Sequence, residues 1–140
     1  MNNKILFIDG QGGQLGSQIV KELLAKFSDI QITAVGTNAA ATASMMKAGA
    51  SKAATGENPV IVACRKADII IGPIGIVIAD ALMGEVTPAM AVAVGQSDAA
   101  RILIPMNKCE NMVAGVSNLS TSVLIQDAVS KVGQYISNHC

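Results

Sequence analysis

Short apolar runs alternate along the chain with longer segments whose apolar residues recur at helical spacing. The first run is Ile5-Leu6-Phe7-Ile8, and it breaks at Asp9-Gly10. Leu15, Ile19, Val20, Leu23, Leu24 and Phe27 then share one face, which predicts a helix over 14–27, closed by Ser28-Asp29. Residues 30–35 alternate and predict a second strand that ends at Gly36-Thr37-Asn38. Asn38 is placed to cap a helix over 39–48, which Gly49 stops. A weak third strand over 51–55 precedes Asn58-Pro59, read as the N-cap and first position of a helix to Lys66. Residues 68–71 form the clearest strand after the first, and Gly72-Pro73-Ile74-Gly75 is expected to turn it into a helix reaching Met83. Gly84-Glu85-Val86 breaks that helix, and Thr87-Pro88 starts another over 89–96. A fifth strand over 101–105, a loop over 106–110, a short sixth strand over 112–116 and a last helix over 120–136 complete the pattern.

Strands alternating with helices imply an open parallel sheet covered on both sides. Right-handed crossovers make it doubly wound. The expected fold class is α/β, a Rossmann-like doubly wound parallel sheet in three layers, with five to six strands in a single domain over 1–140. Order 3-2-1-4-5 is expected because the first and fourth strands are the most apolar; a flavodoxin-like 2-1-3-4-5 order is the alternative.

Composition narrows the function classes. Apolar residues make up 51% of the 140 and mean hydropathy is +0.47, yet aromatics are only 2%. A sheet domain this small has limited interior for so much apolar surface, which predicts a homo-oligomer. Lys+Arg and Asp+Glu are each 10, without a basic run, and there is no aromatic stacking platform; this argues against nucleic-acid binding. Cys64, Cys109 and Cys140 are odd in number and widely spaced, as in a reduced cytoplasmic protein, and no cluster has metal-ligand spacing. The apolar stretch over 69–79 contains Gly72, Pro73 and Gly75 and is too short to span a membrane, which needs ~20 residues. No membrane partner is expected.

The candidate site lies at the first strand–helix turn, Gly10-Gln11-Gly12-Gly13-Gln14-Leu15-Gly16. Gly10 would permit the tight turn, Gly13 a close approach of a phosphate, and Gly16 close helix–strand packing. Unpaired N–H groups near Gly13, Gln14 and Leu15 would attract an anion. A simpler alternative is that the glycines only allow tight packing. In such a sheet ligands sit outside the carboxyl ends of the strands, at the switch point. That rule adds Thr37 and Asn38, Gly72, Pro73, Ile74 and Gly75 as an apolar lining for a nucleotide, and Asn107 and Lys108 as polar contacts. The expected ligand is small and phosphorylated; the cofactor is unidentified, with NAD(P) or another nucleotide as candidates. The second strand ends without the acid that holds an NAD ribose or the arginine that holds an NADP phosphate, so a conventional dehydrogenase is disfavoured.

Catalytic residues are not identified. Asp9, Glu57, Lys108 and Glu110 are the acid–base candidates at the ligand edge, with Asp9 more simply a cap of the glycine turn. Cys109 has no base beside it in sequence, and the sole histidine, His139, belongs to the tail. The segments IDGQGGQLG, GTNAAATASMMKAGA, ATGEN, ADIIIGPIGIVIADALMGEVTP and RILIPMNKC resemble a family of small bacterial proteins of unknown function, over nearly the whole chain. That resemblance implies a stand-alone Rossmann-like cytoplasmic protein and carries over no catalytic residue. The first turn is also similar to that of nucleotide-sugar and NmrA-like dehydrogenase-fold proteins, over the first unit only. The expectation is a nucleotide- or phosphate-binding protein, with a minimal NAD(P)-dependent oxidoreductase and a ligand-free interaction subunit as alternatives.

Overall fold

The computed structural model describes residues 3–106 and 111–139. Its elements run β1 (Asn3–Asp9), α1 (Gln14–Lys26), β2 (Ile30–Gly36), α2 (Ala39–Ala48), β3 (Lys52–Thr55), α3 (Glu57–Cys64), β4 (Ile69–Pro73), a 3-10 turn (Ile74–Val77), α4 (Pro88–Gln96), β5 (Ala100–Ile104) and α5 (Thr121–Asn138). All strand pairs are parallel, in the order β3-β2-β1-β4-β5. This is the doubly wound α/β sheet expected from the apolar pattern, and it excludes the 2-1-3-4-5 alternative.

Side-chain alternation assigns the two faces. Ile5 and Phe7 of β1, Ile32 and Ala34 of β2, and Ile69 and Ile71 of β4 point to the face covered by α1, α2 and α5. Leu6, Ile8, Val35 and Ile70 point to the face covered by α3 and α4. Burial on both faces explains why β1 and β4 read as unbroken apolar runs. The helix starts follow local chemistry: Asn38 Oδ1 accepts from Ala41 N at 2.9 Å, and Thr87 Oγ1 accepts from Met90 N at 3.2 Å ahead of Pro88. Ser120 caps α5 in the same way. The register brings Asp9, Gly36 and Thr55 level, so the β1–α1, β2–α2 and β3–α3 turns open on one edge.

Four expectations are corrected. Among the described residues the sheet has five strands; around 112–116 the chain makes a turn, with Gly115 at φ +83 and Val116 N donating to Val113 O. Met112, 95% exposed, has nothing to pack on. The helix α3 starts at Glu57 after Gly56, φ +109, rather than being capped by Asn58, and it ends at Cys64. The helix expected to reach Met83 stops after one 3-10 turn. The β-branched run Ile76-Val77-Ile78 has low helix propensity, and the following residues bury Leu82 and Val86 by turning back on themselves. His139 is not a loose tail residue: its ring stacks on Tyr135, and Nδ1 lies 2.8 Å from Tyr135 O at the end of α5.

Candidate functional site

The β1–α1 turn is built around a buried carboxylate. Asp9 is 4% exposed and accepts from Gly10 N and Gly16 N, both at 2.8 Å. This is the turn-capping role its position suggested. Burial pushes its carboxyl up from the ordinary value, the two N–H groups pull it down, and the nearby Glu85 charge pushes it up further; the net direction is upward. The next turn locks onto the first. Asn38 Nδ2 donates to Gln11 O at 3.0 Å, and Ser44 Oγ donates to Gly12 O at 3.0 Å.

The glycines serve helix packing more than expected. Gly13 has φ +72, and a Cβ there would lie 2.7 Å from Ala41 Cα at the start of α2. Its absent side chain makes room for α2. A Cβ on Gly16 would meet Met45 Sδ at 2.6 Å and Asp9 Oδ2 at 3.1 Å, so Gly16 packs against α2 as well as against the end of β1. Gly12 faces open space.

One residue at the centre of the site was not anticipated. Glu85, on the connection between β4 and α4, reaches across the carboxyl edge to the first two turns. Its Oε1 accepts from Gln11 N at 3.0 Å, Thr37 Oγ1 at 2.6 Å and Asn38 Nδ2 at 3.0 Å. Partial desolvation pushes its pKa up, but the donors from Gln11, Thr37 and Asn38 outweigh that and hold the carboxyl below its ordinary value. Leu82 accompanies it into the crevice. A Cβ on Gly10 would come within 2.8 Å of both Leu82 Cδ1 and Glu85 Oε1, and Gly75 also lies against Leu82. The segment carrying both residues is tied by Asp80 N to Val86 O at 2.7 Å. It holds Asp80, Leu82 and Met83 at φ between +56 and +66, each a conformation that costs ~1–2 kcal/mol for an L-residue.

The expected site residues separate into groups. Gly10 to Gly16 and Thr37 with Asn38 do come together, joined through Glu85 and Gln11. Gly72 and Pro73 are buried within β4, where a Cβ on Gly72 would meet Ile8 O at 2.5 Å. Ile74 and Gly75 open the 3-10 turn, and Ala81 and Leu82 lie against Gly75. Asn107 and Lys108 lie outside the described residues, as do Cys109 and Glu110. Glu57 Oε1 accepts from Thr87 Oγ1 at 2.6 Å. The described cysteine, Cys64, is buried, and desolvation pushes its thiol up to about 11.

Among the described residues the titratable groups of this edge are Asp9, with one N–H donor on each carboxylate oxygen, and Glu85, whose three donors all meet Oε1. No group of His, Cys, Asp and Glu among the described residues could hold a metal ion. A groove of about 360 Å³ lies elsewhere, on the sheet face beside α3, lined by Lys4, Thr33, Lys52, Pro59 and Lys66. No helix among the described residues is long and apolar enough to cross a membrane.

Comparison with known proteins places the chain in a family without identifying its chemistry. Residues 4–137 match the family described as a domain of unknown function (DUF3842), and the chain belongs to that family. No curated protein matches it. Among solved structures it is similar to a dodecameric FMN-dependent UbiX-like decarboxylase from Escherichia coli O157:H7, at 18% identity and a TM-score of 0.45, over 92% of this chain and 76% of that one.

Proposed function

We propose that this protein is a binding module for a small phosphorylated ligand, a nucleotide or a similar compound, taken at the carboxyl edge of the sheet between the β1–α1 and β2–α2 turns. The observation that carries this reading is the convergence of three donors, Gln11 N, Thr37 Oγ1 and Asn38 Nδ2, on a single carboxylate oxygen. A backbone N–H, a hydroxyl and a side-chain amide aimed at one point make an oxyanion subsite. It lies where open parallel sheets take their ligands.

Binding rather than turnover is favoured because, among the described residues, both carboxylates of the site are held by donors. Glu85 is held below the ordinary carboxylate value, which makes it a weak base. Asp9 is buried beneath the turn with both oxygens occupied. The module works as an oligomer in this reading, with the exposed Val92 of α4 on the shared face.

Thermal melting with AMP, ADP, pyrophosphate, NAD and NADP tests the reading. A ligand present at a hundredfold excess over its Kd stabilises by ~2.7 kcal/mol. At least one phosphate compound is expected to raise the melting temperature, with no preference for NAD over NADP, since Thr37 and Asn38 offer neither a ribose acid nor a phosphate arginine. An unchanged melting temperature with every compound at millimolar concentration would contradict the proposal.

A further inference from the structure

Glu85 sits in the oxyanion subsite as a ligand would. None of the three donors on its Oε1 belongs to the connection that carries it. The turn is shaped to admit it, because a Cβ on Gly10 would stand 2.8 Å from that oxygen. The connection that delivers it runs through left-handed conformations at Asp80, Leu82 and Met83, followed by Gly84 at φ +86. Backbone held this way persists only where surrounding contacts enforce it. Here those contacts are the burial of Leu82 and Val86 and the Asp80–Val86 hydrogen bond.

Resting on the proposed function, we infer that Glu85 is an internal competitor for the ligand's phosphate. One phosphate oxygen takes the place of Glu85 Oε1 on Gln11 N, Thr37 Oγ1 and Asn38 Nδ2, and the Glu85 side chain swings out. The two cannot coexist, since like charges in contact repel strongly in a half-buried site and each of the three hydrogens now on Glu85 Oε1 serves one acceptor at a time. The subsite survives the exchange. Asn38 Oδ1 stays on Ala41 N, and Asn38 Nδ2 stays on Gln11 O, so the donors keep their places. Glu85 thereby sets the affinity: only a ligand that binds these donors better than a tethered carboxylate gains entry. A site open for a fraction of the time binds with its Kd raised by the inverse of that fraction.

The test is calorimetric titration of pyrophosphate into the full chain as wild type, Glu85→Gln and Glu85→Ala, with the Gln11 amide followed by NMR. Glu85→Gln keeps the size and an acceptor oxygen but removes the charge, so it decides the matter even if Glu85→Ala folds poorly. Both variants are expected to bind more tightly than wild type, Glu85→Ala by roughly tenfold or more. Adding Thr37→Val to either variant should take much of that gain away. If all proteins bind within about twofold of one another while the Gln11 amide shifts, the phosphate site stands and the competitor role is overturned. If none binds and the Gln11 amide does not move, both the competitor role and the phosphate reading are overturned.

Discussion

Replacing Gly13 by alanine separates packing from ligand approach as the reason for that glycine. The alanine would be held at φ +72, in the left-handed region, at a cost of ~1–2 kcal/mol. Its Cβ would lie 2.7 Å from Ala41 Cα and 2.8 Å from Ala41 O. Both are backbone atoms of α2, so relief requires α1 and α2 to move apart, a form of overpacking that costs ~1–3 kcal/mol. The stiffer unfolded chain offsets only ~0.4–1 kcal/mol. The expected net destabilisation is therefore ~1–4.5 kcal/mol, or roughly 10 °C in melting temperature at the middle of that range for a chain of this size. Gly12→Ala is the internal control. Nothing lies within 4 Å of its added Cβ, and its φ is not left-handed, so it should be neutral or stabilising by ~0.4–1 kcal/mol. Urea denaturation of both variants reads the difference directly. If Gly13→Ala matched Gly12→Ala within ~0.5 kcal/mol, the assignment of Gly13 to the α1–α2 contact would be wrong.

Other outcomes follow from the same contacts. Asp9→Ala leaves Gly10 N and Gly16 N without their acceptor and should cost ~1–3 kcal/mol for each N–H that finds no substitute, measured by urea denaturation. Glu85 has a lowered folded pKa, so its stabilisation is present above the unfolded value and is lost as the pH falls through the folded one. The stability gap between wild type and Glu85→Gln should therefore narrow on acidification. Asp9, the charged neighbour, has a raised pKa and acts with the opposite sign, which calls for melting curves of both proteins across the carboxylate range. Gly10→Ala would crowd Leu82 Cδ1 and Thr37 Oγ1, so hydrogen exchange over 78–86 should accelerate while β1 stays protected. Light scattering should find wild type above monomer mass, and Val92→Arg should lower that mass; a wild-type monomer at micromolar concentration would end the oligomer proposal.

Elements fixed by nearby residues were legible in the sequence. The β1 and β4 runs are apolar at consecutive positions because both faces are buried, and Asn38 and Thr87 announce their helices through bonds three residues away. The site was legible only as a place. Asp9 to Gly16 and Thr37-Asn38 meet because the strand ends are level, as the carboxyl-edge rule implies. What fills the place was not legible, since the Glu85–Gln11 bond spans 74 residues and has no periodicity to betray it. A signal did exist: β2 ends without an acid, and a lone glutamate follows a glycine in the connection after β4. The helix expected there failed for the same reason, because Leu82 is placed by its fit against Gly10 and Gly75 rather than by local propensity.

The most direct test of the phosphate site is an ADP titration of isotopically labelled wild-type protein followed residue by residue. The backbone amides of Gln11 and Gly12 and the side-chain amide of Asn38 should move together and saturate on one curve. Lys52 and Ala63, which line the separate groove beside α3, should stay where they are. Shifts centred on Lys52 and Ala63, or no shift at Gln11 at millimolar ADP, would contradict the account.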